Sequence, residues 1–357
     1  LLAEEAYAQL YGPIPESFNT LRQNSSSTIE LSDSRAWIGP GLNWIDLSNG
    51  EVGVPVTADS VFNGRGRVFS FSVQKDRILA GLGYTSNRTE TPVNAAMGYY
   101  HSSDNGISWK FIPFPLDDPP PPGSCEESPV GPPCDIEFQY GEERYLRTRI
   151  TVPEQSPPFE VDFSGSTILS VNWASGLLRS KDNGESWNRL ILPPSSVTEM
   201  NPGDSLQWFS RTQDGETVNR YDPRFDNNLL GFGLLIDSDD RVWVGTAGGI
   251  NISENALAAP TEEIRWRRIA FDPESPDGLL ANWIISIREQ PGTGRIWMTN
   301  WRTDPQNRDS FGMVSTSDLG RTFQHYLEGV RVNDIGFTRN AIFAASDEGL
   351  YISRSGG

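Results

Sequence analysis

Three copies of one eight-residue pattern govern how this chain can fold. SSDNGISW stands at 102–109, SKDNGESW at 180–187 and TSDLGRTF at 316–323, and a shortened copy, SRSGG, stands at 353–357. Each full copy lies between two short apolar runs: AMGYYHS and SWKFIPF, SGLLRS and SWNRLIL, GMVST and TFQHYL. A chain that returns to one turn between short strands repeats one supersecondary unit, and each unit must bury its faces against the next. The residue types explain the turn. Glycine adopts backbone conformations that other residues resist. Aspartate accepts hydrogen bonds from nearby backbone amides, and serine or threonine bonds locally. The closing Trp or Phe folds back as an apolar plug between strands. The turn therefore satisfies itself and needs no ligand.

A second phrase repeats beside the first. SRAWIGPGLNWIDLS at 34–48, DRVWVGTAGGINIS at 240–253, GRIWMTNW from 294 and NAIFAASDEGLYIS at 340–353 each place a polar turn before an apolar strand, a loop and a second strand. The eight-residue pattern resembles the Asp box of bacterial neuraminidase-type repeats, and the second phrase resembles repeats of two-component-regulator-type surface propellers. The resemblance implies an all-β fold, a β-propeller of four-stranded blades. It also implies structural roles for Ser102, Asp104, Gly106 and Trp109, for Ser180, Asp182, Gly184 and Trp187, and for Thr316, Asp318, Gly320 and Phe323.

The strand beat places blades at about 28–57, 66–114, 159–193, 229–271 and 282–328, with a sixth from 330 that stops after its third strand. Six blades are expected, and seven is the alternative. The propeller spans 28–357. The N-terminal segment 1–27 stands outside it, and its residues 10–24 are a candidate for the closing strand. The fourth blade has a longer loop, ENALAAPTEE, and no recognisable copy of the turn.

Connection lengths point to a binding face. Two long inserts, 115–158 and 194–228, join blades, and two more long loops, 84–95 and 300–310, join second to third strands. In a propeller these connections leave on one face, so the long inserts are expected on that face and mark it as the working one. Residues just after the second strands, Tyr84, Trp173, Thr246, Trp301 and Ser346, are expected around the channel mouth. Tyr84, Arg88, Trp173, Trp301, Arg302 and Asp304 are the candidate binding residues, because aromatic rings beside Arg and Asp suit a protein partner or a surface glycan. Packing between blades is the competing role for each tryptophan.

The formal charge of −18 disfavours nucleic acid as a partner. No apolar run is long enough for a transmembrane helix. Cys125 and Cys134, close together in a Pro-rich segment, read as a disulfide and an extracytoplasmic location, with two free thiols as the alternative. The opening LLAEEAYAQL reads as an amphipathic helix or as the tail of a secretory signal. Two histidines far from the cysteine pair leave no metal centre to name, and no cofactor is expected.

The resemblance brings sialidases and other glycoside hydrolases into consideration. The Phe/Tyr-Arg-Ile-Pro motif that would anchor a sialidase arginine triad is absent. A glycosidase of another kind would need two carboxylates across the channel, with Asp226, Asp304, Asp309 and Glu348 as candidates. The expected function is thus a non-catalytic, secreted or cell-surface binding or assembly module, alone or as one subunit of a larger surface assembly, with a glycoside hydrolase as the alternative.

Overall fold

The apolar runs flanking each repeated turn are strands in the computed structural model, which describes residues 28–55, 66–125, 131–213, 216–301 and 311–354. The first sheet is β1 (Ile29–Leu31), β2 (Arg35–Ile38), β3 (Asn43–Asp46) and β4 (Val52–Gly53). The second is β5 (Arg67–Gln74), β6 (Arg77–Ser86), β7 (Val93–Ser102) and β8 (Lys110–Pro113). After β9 (Asp135–Tyr140) and β10 (Glu143–Thr148) comes the third: β11 (Pro158–Ser164), β12 (Thr167–Asn172), β13 (Gly176–Ser180) and β14 (Asn188–Leu190). β15 (Glu199–Met200), β16 (Phe209–Gln213) and β17 (Glu216–Tyr221) precede the fourth: β18 (Gly231–Ile236), β19 (Val242–Thr246), β20 (Gly249–Ser253) and β21 (Trp266–Ile269). The fifth is β22 (Trp283–Gln290), β23 (Arg295–Trp301), β24 (Gly312–Thr316) and β25 (Gln324–Tyr326), and the last is β26 (Val332–Thr338), β27 (Ala341–Ser346) and β28 (Gly349–Ser353).

Strand order within each of these six sheets follows chain order. The first strands, β1, β5, β11, β18, β22 and β26, touch one another in that sequence, which makes them the innermost strands of a β-propeller. Apolar clusters fill the spaces between consecutive sheets. Trp37 and Phe71 join the first to the second, Tyr99 and Phe163 the second to the third, and Trp243 and Ile287 the fourth to the fifth. The middle strands β13, β19, β20 and β24 are buried at every residue, because each sheet is covered on both faces. Neighbouring sheets come close: a Cβ on Gly231 of β18 would stand 2.2 Å from Val171 Cγ2 of β12. Trp37, Trp243 and Trp297, which hold the same place in three copies of the second repeated phrase, are fully buried packing residues.

The inserts depart from expectation in where they pack. Their paired strands lie at the rim, whereas Pro153, Glu154 and Gln155 at the end of the first insert bond to Ala96, Ser86 and Ala174 beside the second-to-third-strand connections. β9 and β10 from the first insert join β16 and β17 from the second in one mixed sheet of order β16-β17-β10-β9, with β10 and β17 parallel. Phe138, Tyr145 and Trp208 bring its apolar side against Leu190, Leu192 and Trp266 of the third and fourth sheets. The Tyr140 hydroxyl donates to Ile264 O at 2.7 Å, in the third-to-fourth-strand loop on the opposite face. β15 adds a fifth strand outside β21. The inserts therefore wrap the rim of two sheets, where they bury the apolar area that two isolated loops could not. Cys125 and Cys134 form the disulfide, with their Cα atoms 5.6 Å apart. No helix among the described residues is long and apolar enough to cross a membrane. The proposed closing strand at 10–24 lies outside the described residues.

Candidate functional site: the mouth and axis of the propeller

The repeated turns form one face. In the copy at 180–187, Ser180 Oγ donates to Asp182 Oδ1 at 2.7 Å and accepts from the Gly184 amide at 2.7 Å. Asp182 also accepts from the Ser186 amide at 2.9 Å and the Ser186 hydroxyl at 2.5 Å. Ser102/Asp104 and Thr316/Asp318 repeat this network. Hydrogen bonds from the following Ser or Thr hold all three aspartates down at about 2. Gly184 has φ +88°, and a Cβ there would meet Ile112 of the preceding sheet at 2.5 Å. The closing ring does the same work: Trp109 lies 5.7 Å from Trp37, and Trp187 stacks on Tyr99 at 4.9 Å. These turns lock one sheet to the sheet before it.

The fourth sheet holds a disguised copy. Ser253 Oγ donates to Asn255 Oδ1 at 3.1 Å, and Asn255 Oδ1 accepts from the Arg265 amide at 2.9 Å just before Trp266. Asn255 takes the aspartate's place, with a longer loop between it and the closing Trp266. A search for Asp at fixed spacing passes over it. The Ser-x-Asn start and the Arg-Trp end were the available signals.

The opposite face presents a different surface. Phe69, Phe159 and Phe232 stand at the starts of β5, β11 and β18, each at a register shift where the strand carries one extra residue. Such a bulge turns an additional side chain toward the axis. Together with Trp283 and Trp173 they form an arc. Ring centroids lie 6.1 Å apart for Phe69–Phe159, 5.9 Å for Phe159–Phe232, 5.3 Å for Phe232–Trp283 and 4.9 Å for Trp173–Phe232. All five are half-buried. The Arg67 guanidinium sits 4.7 Å over Phe69 at the end of the arc.

Only Trp173 of the residues expected at the mouth joins this arc. Thr246 is buried and donates to Asn228 Oδ1 at 2.8 Å. Trp301 donates from Nε1 to Val332 O at 2.7 Å, and Arg331 covers its ring at 4.0 Å. Ser346 closes a turn on Gly349 O. Tyr84 is half-buried on β6, with its hydroxyl pushed up by burial. Arg88 is exposed and reaches Glu154 at 3.8 Å. Arg302 and Asp304 lie outside the described residues. The four missed aromatics share one signal: each opens a first strand, in VFSF, PFEV, GFGL and NWII.

Below the arc, charged groups from four of the innermost strands meet on the axis, with Ser72 of β5 and a β18 amide beside them. Arg288 of β22 donates to Glu160 of β11 at 3.1 Å, and lies 3.3 Å from Asp334 of β26 and 3.8 Å from Glu30 of β1. Asp162 of β11 accepts from Ser72 of β5 and from the Ile236 amide of β18, both at 2.8 Å. A cavity of about 210 Å³ lies among these strands. One guanidinium faces four carboxylates among these strands. Burial pushes Glu160 up to about 8, with the repulsion of Glu30 and Asp334 adding to it, and burial likewise raises Glu30 and Asp162. The carboxylates named for a catalytic pair are elsewhere. Asp226 caps a short 3-10 turn and accepts from the Ser195 amide, Glu348 accepts from Tyr351, and Asp304 and Asp309 lie outside the described residues.

No family model matches the chain, and no curated protein does. Among solved structures, YCF48 from Cyanidioschyzon merolae is similar with a TM-score of 0.48 at 15% identity, over 97% of this chain and 85% of that one. YCF48 bound to D1 peptide gives 0.46 at 15%, over 94% and 80%. An ancestral GH74 enzyme gives 0.49 at 14%, over 92% of this chain and 36% of that one. Likenesses this distant assign no activity, and the strand order carries the fold by itself.

Proposed function

We propose that this chain is a six-bladed propeller of the Asp-box type that acts without catalysis, outside the cytoplasm, by binding a partner at the channel mouth. The observation that carries this reading is the arc of Phe69, Phe159, Phe232, Trp173 and Trp283, half-buried on the face opposite the self-satisfied turns. Aromatic rings gathered in a concave, partly dry site supply most of the energy of a binding surface. Neighbouring rings are tilted by 37° to 66° and offer no flat platform for a sugar face, which favours apolar side chains of a protein partner over a surface glycan. The disulfide supports the extracytoplasmic location.

The glycoside hydrolase reading rests on the axial carboxylates, since Glu160, raised by burial to about 8 among other carboxyl groups, has the character of a general acid. It has the weaker support. Glu160 is committed to Arg288, and Asp162 already has three donors in Ser72 and the amides of Phe163 and Ile236.

The test is a displayed library of extended peptides and a panel of soluble oligosaccharides, each run against the wild-type chain and the Trp283→Ala variant. The reading expects peptides enriched on the wild type and lost on the variant. Oligosaccharide binding lost in the variant would replace the protein partner by a glycan. Turnover of aryl glycosides that disappears in Glu160→Gln would replace the binding module by an enzyme.

A further inference from the structure

Among the described residues, the bulge that brings phenylalanines to the mouth recurs at one place in five sheets. The extra residue is Phe69 in β5, Phe159 in β11, Phe232 in β18 and Asn333 in β26. In β22, Ile285 and Ser286 together span the single Thr299 of β23. Ser286 is buried and its hydroxyl donates to Asp334 at 2.7 Å, so the half-buried Ile285 is the residue turned outward. β1 pairs with β2 without a shift. Around the ring the bulge residues therefore run Phe, Phe, Phe, Ile, Asn. Four are apolar and one is a primary amide.

A second position follows the same division. The first residue after the second strand is Trp173 in the third sheet and Asp347 in the last. Trp173 stands 4.9 Å from Phe232 and belongs to the aromatic arc. Asp347 Oδ1 instead accepts from Asn333 Nδ2 at 2.8 Å, and its Oδ2 lies 3.6 Å from Arg331. A carboxylate only accepts, so Asp347 holds the nitrogen end of the Asn333 side chain. Asn333 is exposed, and its carbonyl oxygen and second N–H make no other hydrogen bond among the described residues. The mouth thus has an apolar wall and one polar sector, whose carboxamide is held in place from behind.

We infer that the mouth takes an extended segment of a protein partner, with an apolar side chain on the aromatic arc and one main-chain amide on Asn333. The inference rests on the binding reading above and names what the partner presents. A carboxamide offers a donor and an acceptor side by side, the complement of the N–H and C=O of a peptide backbone. A helix bonds those groups internally, whereas an extended segment leaves them open. Asn333 fixes the register of such a segment, which a wholly apolar ring would let slide.

Peptides selected at the mouth are resynthesised with each backbone amide in turn replaced by an ester. They are titrated against the wild type, Asn333→Ala and Asn333→Leu, both substitutions falling on an exposed side chain. One ester is expected to weaken binding to the wild type by about 10-fold and to change nothing on Asn333→Ala, which itself binds the all-amide peptide about 10-fold more weakly. Asn333→Leu is expected to bind no better than Asn333→Ala. Esters that cost the same on the wild type and on Asn333→Ala overturn the inference. So does tighter binding by Asn333→Leu, which would make the mouth a purely apolar socket. In either case, loss of the same peptides on Trp283→Ala leaves the binding reading standing. A mouth that selects no peptide removes the reading and the inference together.

Discussion

The two faces of this propeller solve the same local problem in opposite ways. On the turn-bearing face, the Ser or Thr, the Asp and the Gly amide of the repeated pattern find their partners within eight residues, and the aromatic at its end is spent on the neighbouring sheet. On the mouth face, bulges bring three phenylalanines to the axis and leave their rings half open, beside Trp173 and Trp283. The first arrangement is closed to any partner, and the second keeps apolar surface in reach of one. A tryptophan at each face should therefore fail in a different way when removed.

The largest effect is expected on the closed face. Trp187→Ala removes the ring stacked on Tyr99 and should cost about 2–3 kcal/mol of stability in denaturant unfolding, with affinity for a mouth ligand unchanged. Trp173→Ala should do the reverse. It should lower affinity for a peptide selected at the mouth by about 10- to 100-fold, with a stability loss of about 1 kcal/mol. Equal stability losses without any change of affinity would erase the distinction between the faces. Asn255→Ala should cost about 1 kcal/mol and make residues 256–264 the first site of limited proteolysis, because the Arg265 amide loses its acceptor.

The pH profile separates the faces by sign. The aspartates of the turns are held low, so their contribution is present above about pH 4 and is lost as the pH falls through about 2. Glu160 is held high on the axis, so its contribution is present below its unfolded range near 4.5 and is lost as the pH rises through about 8. Thermal midpoints from pH 5 to 9 should fall in the wild type, and Glu160→Gln should flatten that limb and leave the acid limb alone. The smallest effect is expected from Arg88→Ala. Its 3.8 Å contact with Glu154 is solvent-screened at a 73% exposed side chain, so its midpoint should stay within error of the wild type.

Much of this molecule was legible in its sequence because its information is local. Ser180, Asp182 and Gly184 find one another within a single turn, so their spacing announces the turn wherever it falls. The apolar strands on either side then follow, and with them the beat of sheets. Cys125 and Cys134 are close enough in the chain for the same reason. Asn255 escaped because a longer loop separates the two halves of its network.

The site was beyond such reading. Phe69, Phe159, Phe232 and Trp283 are scattered over more than two hundred positions, and each looks like any aromatic at the start of a strand. A bulge shifts a side chain from one face to another by a single residue, and nothing local announces it. The inserts likewise gave their lengths but not their destination, which depended on the apolar flank that the third and fourth sheets left uncovered. Arg288, Glu160, Asp334 and Glu30 come from four different sheets, and they meet only because ring closure places the innermost strands around one axis. The sequence by itself determined the repeating unit, whose hydrogen bonds close within a few residues. The tertiary structure decided the mouth and the axis, because their contacts exist only between units that chain order keeps far apart.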